Sequence, residues 1–134
     1  MSTQKYKVEY DTWFDTRNVF GNGEYQQYDN MEGGLSLINV KYNDLLINSV
    51  TNYLEKDEKV YFKGYSWHNV KHYTFEVFVI LDLETNIIKY FVVDYPFDSV
   101  MIPHYGKMAS DNKLNIINSF DEFTEEEKNI LNSL

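Results

Sequence analysis

The sequence predicts an α+β protein: one domain over residues 1–134, with a mainly antiparallel β-sheet packed against one main amphipathic helix and short C-terminal helices. The length suits a single domain. Several runs of aromatic and β-branched residues have the length of strands and are joined by hairpin-length links. Residues 44–56 carry apolar side chains at helical spacing, which supplies the one main helix.

The first third of the chain predicts strands and turns. Tyr6, Val8 and Tyr10 alternate with charged residues, which is typical of a half-buried strand. Asn22-Gly23 follows one apolar run and precedes another, and this dipeptide favours a hairpin because both central turn positions need positive φ. Residues 35–42 predict the next strand.

The main helix is predicted over residues 44–56. Asn43 is a suitable N-cap, since its side chain can accept a hydrogen bond from a free backbone N–H of the first turn. Polar residues occupy the opposite face. The apolar face consists of Leu46, Ile47, Val50, Tyr53 and Leu54.

Three strands are predicted next, over residues 60–65, 72–82 and 87–95, and the last two form a hairpin through Glu84-Thr85-Asn86. The second of them is apolar on both faces and is expected at the centre of the sheet.

The end of the chain predicts an irregular segment and two short helices. The segment lies between Pro96 and Pro103, and the first helix is predicted over residues 111–120. Thr124 and Glu127 have the spacing of a capping box, which predicts a final helix from that point.

Composition limits the function classes. The chain has 21 acidic and 12 basic side chains, a formal net charge of -9. We therefore expect a basic protein partner and no direct binding to nucleic acid. No cysteine is present, which excludes disulfides and thiolate metal sites. No apolar run approaches the length of a membrane-spanning helix, so a cytoplasmic protein without membrane contact is expected.

The stretch GYSWHNVKHY, residues 64–73, raises an alternative. His68, Lys71 and His72 lie near Tyr65 without any neighbouring carboxylate, and they could bind or cleave a nucleotide or phosphodiester by acid–base chemistry without a metal. The simpler interpretation is an exposed loop between two strands. Both interpretations stay open from sequence.

No metal site and no cofactor are expected. His68 and His72 are four residues apart but form no helical HExxH motif, and His104 lies far along the chain, so we expect the three not to converge. The glycines form no phosphate-binding loop, and no serine lies in a GxSxG context. No catalytic residues are therefore assigned, and the chain is expected to be a binding protein rather than an enzyme.

The acidic C-terminal run is the preferred binding surface. Residues 94–134 carry eight acidic and three basic side chains. The helix dipole explains acids in a first helical turn, but it explains the acids before Thr124 less well. The sequence therefore predicts a small acidic, non-enzymatic inhibitor, of the immunity or anti-defence type, of a basic nucleic-acid-handling protein. The predicted binding residues are Asp121, Glu122, Phe123, Glu125, Glu126 and the aromatic Trp67.

Overall fold

The computed structural model describes residues 16–21, 23–29, 35–67, 74–93 and 107–134. Eight strands occur in this part of the chain, and they form one sheet in the order β1 to β8. The strands are β1 Thr16–Phe20, β2 Tyr25–Asp29, β3 Leu35–Asn39, β4 Asp44–Lys56, β5 Lys59–Trp67, β6 Thr74–Asp82, β7 Ile87–Val92 and β8 Leu114–Ile117. The helices are α1 Lys107–Ser110, a 3-10 turn Phe120–Glu122 and α2 Glu125–Ser133.

The sheet is mixed. Strands β1 to β7 form an antiparallel meander in which each strand pairs with the next along the chain. Strand β8 pairs with β7 in the parallel direction, so the chain must cross from one end of the sheet to the other between them. The predicted sheet packed against one main helix is therefore wrong: two short helices accompany an eight-stranded sheet in the described residues.

The predicted main helix over residues 44–56 is strand β4. The carboxylate of Asp44 at its start accepts the backbone N–H of Met108 at 2.8 Å, so it caps α1. Asn43 is not an N-cap, because it has φ of 58° in the preceding turn. Leu46 and Ile47 are both buried in the same core cluster, at a point where the β3–β4 register shifts between Leu37↔Ile47 and Ile38↔Leu45. A bulge after Val50 then shifts the register, and this shift lets a strand imitate helical spacing.

The helix predicted over residues 111–120 is also wrong. Leu114–Ile117 is the parallel strand β8, and Asn112 has φ of 58° just before it. Ile117 is buried on the sheet. The short, exposed polar residues on either side of this strand weaken any periodic signal, and pairing with β7 decides its conformation.

Both predicted hairpins are confirmed. Strands β1 and β2 are joined through Gly21 and Gly23, which have φ of 64° and 90°. Their last pair is Phe20↔Tyr25, so the loop is longer than the two-residue Asn22-Gly23 turn that the dipeptide predicted. Strands β6 and β7 pair from Val77↔Val92 to Asp82↔Ile87. The Asp82 carboxylate accepts two backbone N–H groups of the turn, and Asn86 has φ of 61°. Strand β6 is buried on both faces from residues 77 to 81 and lies between β5 and β7, as predicted.

The sheet curls so that its first strands reach its middle strands. The rings of Phe20 in β1 and Phe62 in β5 make an edge contact with centroids 5.3 Å apart. Glu24 Oε2 accepts hydrogen bonds of 2.8 Å from both Asn39 Nδ2 and Asn86 Nδ2. Tyr25 donates its hydroxyl hydrogen to Asn86 Oδ1 at 2.6 Å. One face of the curled sheet therefore encloses the larger core.

The second face of the sheet is covered by α2 and the segment before it. The predicted capping box is confirmed: the Thr124 hydroxyl accepts the N–H of Glu127, and the Glu127 carboxylate accepts the N–H of Thr124. The buried side chains of this smaller core are Tyr61, Phe78, Ile80, Phe91, Ile117, Phe123, Ile130 and Leu131. The predictions for residues 6–10 and for the segment between Pro96 and Pro103 lie outside the described residues.

Candidate functional site

One of the two acids before Thr124, Glu122, is a structural carboxylate. Glu122 Oε2 accepts the backbone N–H groups of Asn118 at 3.1 Å and Ser119 at 2.9 Å. Ser119 Oγ in turn accepts the N–H of Asp121, so the 3-10 turn begins with its own capping box. Glu122 is therefore engaged with the backbone of its own turn, where it satisfies donors that the turn leaves free.

Phe123 holds this segment on the sheet. Its ring contacts Phe91 edge-on, with centroids 5.8 Å apart, and Phe120 at 5.4 Å. The side chain is buried in the smaller core. Phe123 therefore orients the neighbouring carboxylates and contributes almost nothing to the outer surface, in contrast to its place among the predicted surface residues.

Glu127 lies at the inner side of α2, with only 2% of its surface exposed. Its carboxylate accepts hydrogen bonds from Lys89 Nζ at 2.9 and 3.0 Å and contacts Lys59 Nζ at 3.5 Å. Burial alone would raise the pKa of Glu127. The Thr124 N–H and the ammonium groups of Lys89 and Lys59 outweigh burial and lower it, so the carboxylate is charged and ties α2 to β5 and β7.

Four carboxylates of this segment are exposed, and three of them remain once Glu122, which is bonded to its own turn, is set aside. The side chains of Asp121 and Glu125 are 92% and 85% exposed, and Glu126 is exposed as well. Lys128 lies between two of them, with Nζ 3.6 Å from Asp121 Oδ1 and 3.3 Å from Glu125 Oε1. Such exposed pairs contribute little stability. We call Asp121, Glu125 and Glu126 the acidic surface.

Negative potential continues from α2 towards the β4–β5 turn. Burial raises the pKa of the Tyr61 phenol, and the nearby carboxylates of Glu127, Glu126, Asp57 and Asp82 raise it further. One tyrosine in β5 therefore experiences charges from the helix, from the β4–β5 turn and from the β6–β7 turn.

A cavity of about 200 Å³ lies between α2 and the ends of β5 to β7. Lys59 and Lys89 line it, but both ammonium groups contact the Glu127 carboxylate. Asp82, also in its lining, accepts backbone N–H groups of the adjacent turn. The polar groups of this cavity are thus engaged in holding the fold together, and they form no nucleophile–base pair.

The residues of the alternative interpretation are mostly beyond the described part of the chain. Tyr65 lies in β5 and is exposed. The side chain of Trp67 and all of His68, Lys71 and His72 lie outside the described residues, as does His104. Their roles stay predictions. Within the described ranges, no group of three or more His, Cys, Asp or Glu side chains is arranged to hold a metal ion.

The sequence did not reveal one surface. Tyr53 and Leu54, predicted to face the core from a helix, are exposed in the second half of β4. The sequence feature that could have revealed this surface is the polar tetrad 56–59, because its central residues Asp57 and Glu58 form the turn between two long strands.

Comparison with protein-family models, with curated proteins and with solved structures finds no match to this chain. In the part of the chain that the structure describes, none of the helices is long and apolar enough to cross a membrane.

Proposed function

We propose that this chain is a small, acidic, non-enzymatic binding protein that captures a basic protein partner. The partner class that fits is a nucleic-acid-handling protein, because such proteins carry the basic surfaces with which a chain of net charge -9 pairs. Occupying that basic surface would exclude nucleic acid, which makes the chain an inhibitor.

One observation carries the proposal. The exposed carboxylates of Asp121, Glu125 and Glu126 sit on a segment whose inner side is anchored by the buried Phe123 and Glu127. A charged surface held by a fixed backbone loses little conformational entropy on binding, which favours affinity. Two capping boxes in succession support the same conclusion, because each reduces fraying of the segment.

If charges steer the formation of the complex, its affinity and its association rate should depend on salt and on the exposed carboxylates. Exposed charges are screened over roughly 8–10 Å near physiological ionic strength, so affinity should fall as salt is added. Loss of charge at Asp121 and Glu126 should slow association more than it speeds dissociation, since complementary charges mainly steer the encounter.

The test compares two charge-matched variants. Asp121→Lys with Glu126→Lys reverses two of the three charges of the acidic surface and leaves Glu122 and Glu127 to hold the fold. Glu84→Lys with Asp111→Lys makes the same change of net charge at exposed positions elsewhere. Each protein is immobilised and exposed to an extract of the native host, and the retained proteins are identified by mass spectrometry and compared with the wild type.

We expect basic proteins retained by the wild type and the Glu84/Asp111 variant to be lost by the Asp121/Glu126 variant, with matching thermal denaturation of all three. Retention by the Asp121/Glu126 variant would overturn the proposal. A third variant, His68→Ala with His72→Ala, tests the alternative: loss of binding or turnover there, with the acidic variant intact, would favour a nucleotide or phosphodiester site at Tyr65, His68, Lys71 and His72.

A further inference from the structure

Strand β4 extends beyond its neighbour β3. The two pair only from Asn39↔Asp44 to Leu35↔Val50, whereas β4 pairs with β5 as far as Lys56↔Lys59. Residues 51–56 therefore have a strand on one side only among the described residues, and all six are exposed. The open edge, as we call residues 51–56, is about 20 Å long, which is the length of an ordinary strand.

The turn beyond the open edge shows which backbone groups are free. Asp57 and Glu58 have φ of 52° and 62°, the combination of a two-residue type I′ hairpin. In such a hairpin the flanking pair, Lys56↔Lys59, exchanges both backbone hydrogen bonds. Hydrogen-bonded and non-bonded pairs alternate along an antiparallel ladder, so Leu54 bonds to β5 while Tyr53 and Glu55 direct their N–H and C=O groups to the open edge.

The side chains of the open edge are those of a contact surface. Tyr53 and Leu54 lie on opposite faces of the strand, and both are among the few large apolar side chains that are exposed. Three exposed carboxylates, Glu55, Asp57 and Glu58, accompany them along the strand and its turn. Two ammonium groups flank the turn, that of Lys56 and that of Lys59, and the second contacts the Glu127 carboxylate. An edge that has no strand partner among the described residues, and that carries apolar side chains and an excess of carboxylates, is complementary to an extended basic peptide.

We propose that an extended basic segment of the partner adds to the open edge as a further strand beside β4. This inference rests on the proposed function and names how the partner is held: backbone hydrogen bonds to Tyr53 and Glu55 supply register, and lysine or arginine side chains meet Glu55, Asp57 and Glu58. The Leu54 side chain lies on the same face of the sheet as its cross-strand partner Tyr61, which packs in the smaller core beneath α2.

The direct test is amide hydrogen exchange measured by NMR, with a short synthetic peptide that alternates lysine with valine and threonine as the probe. Added peptide should slow exchange of the N–H groups of Tyr53 and Glu55 by about tenfold or more at saturation, because those donors gain partners. The N–H groups of Leu54 and Lys56 should change little, since they already bond to β5.

Two variants of Glu55 separate the contribution of its backbone N–H to peptide binding from that of its charge. Glu55→Pro removes one outward N–H and no ladder bond, and proline is tolerated on edge strands in this orientation. Glu55→Gln removes the same charge and keeps the donor. We expect Glu55→Pro to weaken peptide binding by about tenfold more than Glu55→Gln does. Should Glu55→Pro fail to fold, the exchange pattern of the wild type still decides the question.

The outcomes distinguish this inference from the proposed function. Peptide binding that protects neither Tyr53 nor Glu55 and perturbs only Asp121 and Glu126 would overturn the inference and leave the proposed function standing. Absence of any binding at low salt would overturn both. Protection that appears without peptide and grows with protein concentration would show that a second copy occupies the open edge, which also overturns the inference.

Discussion

Lys89 Nζ lies 2.9 Å from Glu127 Oε1 and joins the central sheet to the C-terminal helix through a carboxylate that is almost fully buried. Lys59 Nζ contacts the same carboxylate from β5 at 3.5 Å. Because Glu127 also closes the capping box with Thr124, one side chain determines both where α2 begins and where it docks.

Removing the Glu127 charge should destabilise the fold. Glu127→Gln keeps a side chain that can complete the capping box but leaves two lysines without their counter-charge. The lysine side chains are 34% and 31% exposed, so water partly compensates. We expect a loss of about 1–3 kcal/mol in the free energy of unfolding at neutral pH, by urea denaturation. Glu126→Gln, on the exposed side, is the control and should change stability by less than about 0.5 kcal/mol.

The stability difference between the wild type and Glu127→Gln should depend on pH. The pKa of Glu127 is lowered in the folded state, so the unfolded state binds the proton more readily. Its stabilising contribution is complete above the ordinary glutamate pKa of about 4.3 and is lost as pH falls through the lower folded pKa. The stability gap between wild type and Glu127→Gln should therefore narrow in acid. A gap that widens as pH falls would contradict the lowered pKa.

Leucine truncation distinguishes the strand at residues 44–56 from the predicted helix. Leu54 is 41% exposed and Leu131 is 1% exposed. Leu54→Ala should lower the free energy of unfolding by less than about 1 kcal/mol, because folding buries little of the apolar surface of this side chain. Leu131→Ala should cost about 2–5 kcal/mol through lost burial and a cavity. Chemical denaturation of both variants checks this, and equal losses would place Leu54 in a core.

Gly64 is required by the close approach of β4. A Cβ at this position would meet the carbonyl oxygen of Ser49 and lie 2.8 Å from Ile47 Cγ2 and 3.0 Å from Val50 Cα. Two of these three atoms belong to backbone, which cannot move without shifting the strand. Gly64→Ala should therefore destabilise by about 1–3 kcal/mol or more. Lys63→Ala, one residue earlier and partly exposed, serves as the control, and thermal denaturation of the pair provides the comparison.

The β4–β5 turn contains strain that glycine should relieve. Glu58 has φ of 62° although it is not glycine, a conformation that costs an L-residue roughly 1–2 kcal/mol. Glu58→Gly relieves this strain in the folded state but increases the conformational entropy of the unfolded chain. We expect a net rise of about 0.5–1 kcal/mol in the free energy of unfolding. Glu58→Ala keeps the strain and should leave stability nearly unchanged. If glycine lowers stability in urea denaturation, the turn is not of type I′.

Local chemistry explains what the sequence predicted correctly. Gly21 and Gly23 adopt positive φ at little steric cost, which permits the turn between β1 and β2. The capping box of Thr124 and Glu127 is closed within four residues, and both faces of β6 carry apolar side chains that require cover from two sides. The acidic excess is likewise a property of the chain alone.

The sequence by itself thus determined the turns, the C-terminal helix, the central strand and the sign of the charge. Only the tertiary structure decided that residues 44–56 form a strand, because a bulge after Val50 gives an extended chain the same apolar spacing as a helix. It also decided that Phe123 and Glu127 face inwards while Asp121 and Glu126 face outwards, and that, among the described residues, β4 pairs with β5 further along its length than with β3. Each of these depends on contacts between residues distant in the chain, whose energy no local pattern contains.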